Sequence, residues 1–167
     1  MAPYDAASPS PSDSIPPVEF KEVLAHLASG VAIISCWDSA TPRGLLVSSI
    51  TGLSVEPPRF LFCVRKEAGS HDALVTSAEC GVALLSSADQ EEALRFAGSA
   101  RAAERFASER WRLTTSGPPA YRGGLAAARC RIDQTIDAGT HSILIVSAIE
   151  SVLTSGPPLV AWNRGFL

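Results

Sequence analysis

Between Val31 and Trp162 the apolar and β-branched residues come in short runs, and glycine or proline interrupts the chain between most of them. Val31 to Cys36, Leu45 to Ile50, Phe60 to Val64 and Gly81 to Leu85 are each too short for a buried helix and read as strands. Asp38 to Gly44, with Pro42 and Gly44, predicts the turn of a hairpin between the first two. Pro57-Pro58 sets where the third strand begins, because proline cannot donate within a ladder. The C-terminal third predicts three strands, Ala126 to Ile136, Ser142 to Val152 and Leu159 to Trp162, broken at Asp137-Ala138-Gly139 and at Ser155-Gly156-Pro157-Pro158. Helices are predicted where the period changes. Phe20, Val23, Leu24 and Leu27 form one helical face; His71 to Ser77, Asp89 to Phe96 and Arg101 to Arg110 supply shorter ones. Six or seven short strands with a few helices between them predict a mainly β fold, an antiparallel barrel with helical insertions.

A chain of 167 residues suits one domain, expected over residues 18–167. Residues 1–17, with five prolines and four serines, have little to bury and are expected to be a disordered leader. The net charge is −3, and Arg65-Lys66 is the only adjacent basic pair, so no stripe exists to neutralise a run of phosphates; nucleic acid is not an expected partner. No apolar run approaches the roughly 18 residues of a membrane span, so a soluble, cytoplasmic protein is expected. No G-x-G-x-x-G or P-loop string is present. The cysteines Cys36, Cys63, Cys80 and Cys130 form no C-x-x-C pair and read as core thiols, and no cluster has metal-ligand spacing, so no metal is expected. From the residues alone the reading ends at a β-rich domain.

Residues 44–64, GLLVSSITGLSVEPPRFLFCV, resemble the signature of the short-chain flavin reductase family. The likeness continues in order through FAG at 96–98, RF at 105–106, Leu125-Ala126 with Cys130, GTH at 139–141 and PLVAWNRG at 158–165. The resemblance implies an FMN-binding split β-barrel and a homodimer. It also implies an NAD(P)H:flavin oxidoreductase that supplies reduced FMN or FAD to a separate flavin-dependent monooxygenase. NADH or NADPH would be the co-substrate. The alternative is a flavin-binding carrier, sensor or electron-transfer protein without reductase activity.

Site residues follow from the same strings. Gly44 is expected to end a turn and permit close backbone approach, and Ser48 and Ser49 to offer hydroxyl and N–H groups to a neutral ring system. The bland reading, hydroxyls that satisfy backbone or water, stands beside it. Val47, Cys63 and Val64 flank this region on the adjoining strands. Arg65, Lys66, Gly69 and Ser70 are expected to form a cradle for a flavin phosphate, although Glu67 stands where the family often carries hydroxyls. His141 is expected to position the nicotinamide without acid-base work, and Arg164 to bind the dinucleotide. Trp162 and Asn163 depart from the family's usual Tyr and His. Of the other histidines, His26 lies on a helix surface and His71 beside the phosphate turn.

Overall fold

The computed structural model describes residues 14–98 and 102–167. Most of the expected leader, residues 1–13, lies outside that range, and the first helix, α1 (Pro17–Ala25), opens with proline at its first position, where the missing N–H costs nothing. The strands are β1 (Ser29–Gly30), β2 (Ala32–Asp38), β3 (Thr41–Val47), β4 (Thr51–Ser54) and β5 (Arg59–Arg65). After α2 (His71–Thr76) come β6 (Glu79–Leu84), α3 (Gln90–Ala97) and α4 (Ala102–Arg105). Two short strands follow, β7 (Trp111–Arg112) and β8 (Ala120–Tyr121), and then the long hairpin β9 (Ala126–Ala138) and β10 (His141–Leu153). The described chain ends with β11 (Val160–Trp162) and β12 (Gly165–Phe166).

Seven strands form one antiparallel sheet in the order β3-β2-β6-β9-β10-β5-β4. Its two edges, β3 and β4, are consecutive in the chain, so the sheet curls until β3 packs against β5. The ladder leaves the seam open. This is the antiparallel split barrel that the resemblance implies. Alternate residues of the strands fill its interior: Ile34, Phe62, Val64, Cys80, Leu144 and Val146 are among the residues with no or almost no exposure. Three of the cysteines lie here as expected. Burial pushes the Cys36 thiol up to about 11 and the Cys130 thiol up to about 12, so neither is a nucleophile at neutral pH.

A second core lies outside the barrel, where Ile33, Ala83 and Leu85 meet Phe96 of α3, Phe106, Trp111, Tyr121 and Leu159. The three-stranded sheet β1-β11-β12 is tied to it through backbone bonds from Leu85 to Val31 and from Leu159 to Leu85.

The expected turn at Asp38 to Gly44 needs correction. Asp38 pairs with Thr41, so the hairpin turn is Ser39-Ala40, and Pro42 and Gly44 lie within β3. Proline is tolerated because β3 is an edge strand. Glycine is required for a packing reason: a Cβ on Gly44 would stand 2.8 Å from Phe96 Cε1 and 3.0 Å from both the Ile34 carbonyl oxygen and Phe106 Cζ.

Candidate functional site

The three strings FAG, RF and the glycine of GLLVSS converge beneath β3. The Phe96 and Phe106 rings meet edge to face, 5.1 Å apart, over Gly44. Arg105 Nη1 donates to the Gly44 carbonyl at 2.8 Å and its Nη2 to Gly98 O at 2.7 Å. Gly44 is therefore buried support for the strand, and the close approach it permits is that of aromatic rings, not of a ligand. Val47 and Val64 also face the barrel interior and present only backbone to the outside.

Past the end of β3 the chain turns outward. Ser48 and Ser49 are exposed. Thr51 pairs with Leu61, so Ser49 stands opposite Cys63 in the continued register. Its hydroxyl accepts from Cys63 N at 3.0 Å and donates to Cys63 O at 3.1 Å, replacing the ladder across the seam. The Ser49 side chain is committed to β5, whereas the Ser48 side chain has no hydrogen bond among the described residues.

On β5 and β10 the register pairs Cys63 with Ile143 and Arg65 with His141. Phe62, Val64, Ser142 and Leu144 point inward. By alternation, Leu61, Cys63, Ile143 and Ile145 share the outer face, and all four are only partly buried. That face is a half-open apolar strip with Arg65 and His141 at its upper end. The hairpin there turns through Gly139-Thr140, with Gly139 at φ 74°, the conformation a two-residue loop demands of its first residue. Thr140 Oγ1 lies 2.9 Å from His141 Nδ1 and leaves the half-exposed ring's Nε2 available.

Residues 66–70 form two successive turns, closed by Ala68 N to Arg65 O and His71 N to Ala68 O. The N–H groups of Glu67, Gly69 and Ser70 meet no acceptor among the described residues. Arg65 is exposed and likewise has no side-chain partner there. Lys66 is different: both Asp137 carboxylate oxygens accept from its Nζ, at 2.7 and 2.8 Å. The Lys66 hydrogen bond, with a second from Gly139 N, holds the Asp137 carboxyl below the usual carboxylate range. Ser70 is buried, and its hydroxyl donates to Gly44 O at 3.0 Å, so its side chain is committed to the strand and not offered to a ligand. Gly69 is exposed, with open space where a side chain would be.

Arg164 stands elsewhere. It occupies the turn between β11 and β12 at φ 63°, and its guanidinium pairs with Glu22 of α1. It shares neither strand nor hydrogen bond with Arg65, Lys66 or His141. A smaller apolar cleft, about 250 Å³, has Ile50, Thr51 and Gly52 on one wall and Pro158-Leu159, just before β11, on another. A larger cavity, about 420 Å³, is walled by residues 112–123 and strands β6, β9 and β10, and contains none of the expected site residues.

Two couplings were not anticipated. One is the clamp of Asp137 on Lys66; the other is a chain in which the buried His71 joins the buried Ser142 to the exposed Asp72. The position of His71 beside the phosphate turn was the only signal of the second.

The arrangement fits a flat, apolar ring system carrying an anionic tail. The strip supplies the first, and the unpaired N–H groups with Arg65 supply the second. Cys63 and Arg65 are two residues apart, about 7 Å along the strand, so both ends fall within the length of one mononucleotide.

Residues 24–167 match the model of the flavin reductase like domain. An FMN reductase (NADH), RutF 2, of Methylorubrum extorquens is 31% identical over 145 residues, 82% of this chain and 84% of its own. The reductase subunit HsaB of a flavin-dependent monooxygenase of Rhodococcus jostii is 31% identical, over 89% of this chain and 76% of its own. The solved structure of the NADH:FAD oxidoreductase SgcE6 of Streptomyces globisporus, in complex with NAD and FAD fragments, superimposes with a TM-score of 0.83 at 26% identity, covering 97% of this chain and 96% of its own. This chain belongs to the flavin reductase like domain family.

Proposed function

We propose that this chain is an NADH-dependent flavin reductase that supplies reduced FMN or FAD to a separate flavin-dependent monooxygenase. The observation that carries the reading is the register of β5 and β10. It sets a cation that has no ion-pair partner among the described residues, Arg65, and a half-exposed imidazole, His141, at one end of a half-open apolar strip. Relatives named as NADH-dependent FMN reductases and as a monooxygenase reductase subunit support it.

A bound flavin supplies the hydride acceptor, and the protein's contribution is geometry. Backbone at Ser48, Ser49 and Cys63 borders the ring system. Arg65 and the N–H groups of Glu67, Gly69 and Ser70 hold the phosphate, with Lys66 reaching it only by sharing Asp137. His141 donates from its free edge to the nicotinamide carboxamide and sets the approach over the ring, and Arg164 joins it only on leaving Glu22. No residue is asked to transfer a proton in this scheme. Residues 18–167 act as one domain.

The test is steady-state oxidation of NADH with FMN and with FAD, on wild type and His141→Ala. Wild type is expected to turn over. His141→Ala is expected to raise the KM for NADH about twofold to tenfold, the worth of one hydrogen bond, with flavin affinity unchanged. A flavin-binding protein with no NADH oxidation would be a carrier, and the reductase reading would be wrong.

We also propose that the protein is a homodimer. Val18, Phe20, Val23 and Leu24 of α1 and Leu27 just past its end are all at least 48% exposed, and only Ala25 of the helix is buried, so these apolar side chains are left uncovered by the described residues. A second copy laid against them covers that surface. Light scattering is expected to give twice 17.5 kDa, and a monodisperse monomer at micromolar concentration counts against the assembly.

A further inference from the structure

We infer that His71 is a positioning residue for the phosphate-holding turn, an inference that rests on the flavin site proposed above. His71 opens α2 and is 8% exposed. Its Nδ1 lies 2.8 Å from Asp72 Oδ1 and its Nε2 lies 2.9 Å from Ser142 Oγ. A carboxylate only accepts, so Nδ1 carries a proton and donates to Asp72, while Nε2 bonds the Ser142 hydroxyl, which can either donate or accept. Burying an imidazole costs free energy unless its nitrogens are bonded, and here both are. A Leu or Phe would fill the same volume without that cost. The polar residue is explained by what it ties together.

Ser142 is 4% exposed and faces the barrel interior with Leu144 and Val146, immediately after His141. The His71 bond therefore fastens the C-terminal end of the 66–70 turn to the strand that carries His141. Two further ties complete the anchorage, Ser70 Oγ to Gly44 O at 3.0 Å and Lys66 N to Thr140 O at 3.0 Å. Between these ties stand the unpaired N–H groups of Glu67, Gly69 and Ser70. A turn with three N–H groups left unpaired has little internal hydrogen bonding to hold its shape. If it is not fixed from behind, the ligand must order it on binding, and affinity is lost to that entropy.

The order Ser142, His71, Asp72 is also that of a hydrolytic triad. Burial of Ser142 closes it to any substrate carbonyl, so the cluster does not act as a nucleophile.

The role is specific to the phosphate end of the ligand, and this makes it testable by comparing FMN with riboflavin, which has the same ring system and no phosphate. The dissociation constants are read by quenching of flavin fluorescence on the purified full-length protein. His71→Phe keeps a ring and loses both bonds, Ser142→Ala removes one hydroxyl, and His71→Gln restores a group able to bond Ser142. His71→Phe and Ser142→Ala are each expected to weaken FMN binding about threefold to tenfold, with riboflavin changed by less than about twofold. The double variant is expected to lose no more than either single one, because the two side chains act as one link. His71→Gln is expected to recover most of the FMN affinity.

Equal weakening of FMN and riboflavin, or undiminished preference for FMN in both single variants, overturns the role of His71 while leaving the flavin site intact. A wild type that binds FMN no more tightly than riboflavin overturns the site itself and this inference with it. Should His71→Phe fail to fold, Ser142→Ala alone decides by the same ratio.

Discussion

Replacing Asp89 by Ala is expected to cost about 3 kcal/mol of folding stability, seen as a fall in Tm of roughly 6–12 °C for a chain of this length. The Asp89 side chain is fully buried at the start of the segment leading into α3. Its Oδ2 accepts from Ser86 N at 2.9 Å and from the Ser86 hydroxyl. Its Oδ1 accepts from the Tyr121 hydroxyl at 2.9 Å and from Arg110 Nη2 at 2.6 Å. One carboxylate thus joins the cap of α3, strand β8 and the chain entering β7, which together cover the outer core. Removing it strands a buried phenol and a backbone N–H. Arg110 is half exposed and recovers water, which keeps the loss toward the lower end of the range for broken buried pairs.

The same group sets a pH dependence. Burial pushes the Asp89 carboxyl up, but the Ser86 and Tyr121 hydrogen bonds and the Arg110 charge outweigh it and hold it below the usual carboxylate range. A carboxyl depressed in the folded state contributes stability that is present above its unfolded pKa of about 4 and is lost as pH falls through the folded value. The stability gap between wild type and Asp89→Asn is therefore expected to be constant from pH 7 to about 5 and to shrink below about 4. A gap that stays constant down to pH 3 would mean that Asp89 is not the depressed group.

Much of the fold was legible because run length and turn chemistry are local. The apolar runs around Phe62, Val82, Cys130 and Leu144 placed β5, β6, β9 and β10 within a few residues of their observed bounds. Pro42 and Gly44 misled for a tertiary reason. An edge strand forgives a proline, and the demand for a bare Cα at position 44 comes from Phe96 and Phe106, far along the chain. The site divides in the same way. The facing of Arg65 and His141 follows from motifs that stay in order along the chain, and the structure pairs them. What each side chain is free to do was not legible. Lys66 meets Asp137 and His71 meets Ser142 across 71 residues each, and Ser49 and Ser70 are turned to backbone acceptors by the curl of the sheet. No local pattern records such pairings, since they depend on which strands become neighbours. Arg164 shows the converse: its motif matched, yet its guanidinium is engaged by Glu22 of α1.

Arg65 and Lys66 are adjacent in sequence and unequal in the structure, and flavin affinity is expected to show the inequality. Arg65→Ala should weaken FMN binding by about 10- to 100-fold. A charge-assisted bond from an arginine to a phosphate is worth roughly 1.5–3 kcal/mol, and among the described residues Arg65 has no competing carboxylate to release first. Lys66→Ala should cost markedly less, because Lys66 must divide itself between the phosphate and Asp137. Asp137→Asn separates this from a mere difference in distance. It removes the competing charge and is expected to strengthen FMN binding by a few-fold, since an exposed ion pair of this kind is worth at most about 1 kcal/mol. The gain should be absent when Lys66 is already Ala. Raising the salt concentration should weaken FMN binding to wild type more than to Arg65→Ala, as one exposed cation fewer remains to be screened. Riboflavin affinity should be indifferent to all three substitutions. If Lys66→Ala proves the more costly, the lysine leaves Asp137 when the ligand arrives, and the clamp is a resting position from which Lys66, not Arg65, takes the phosphate.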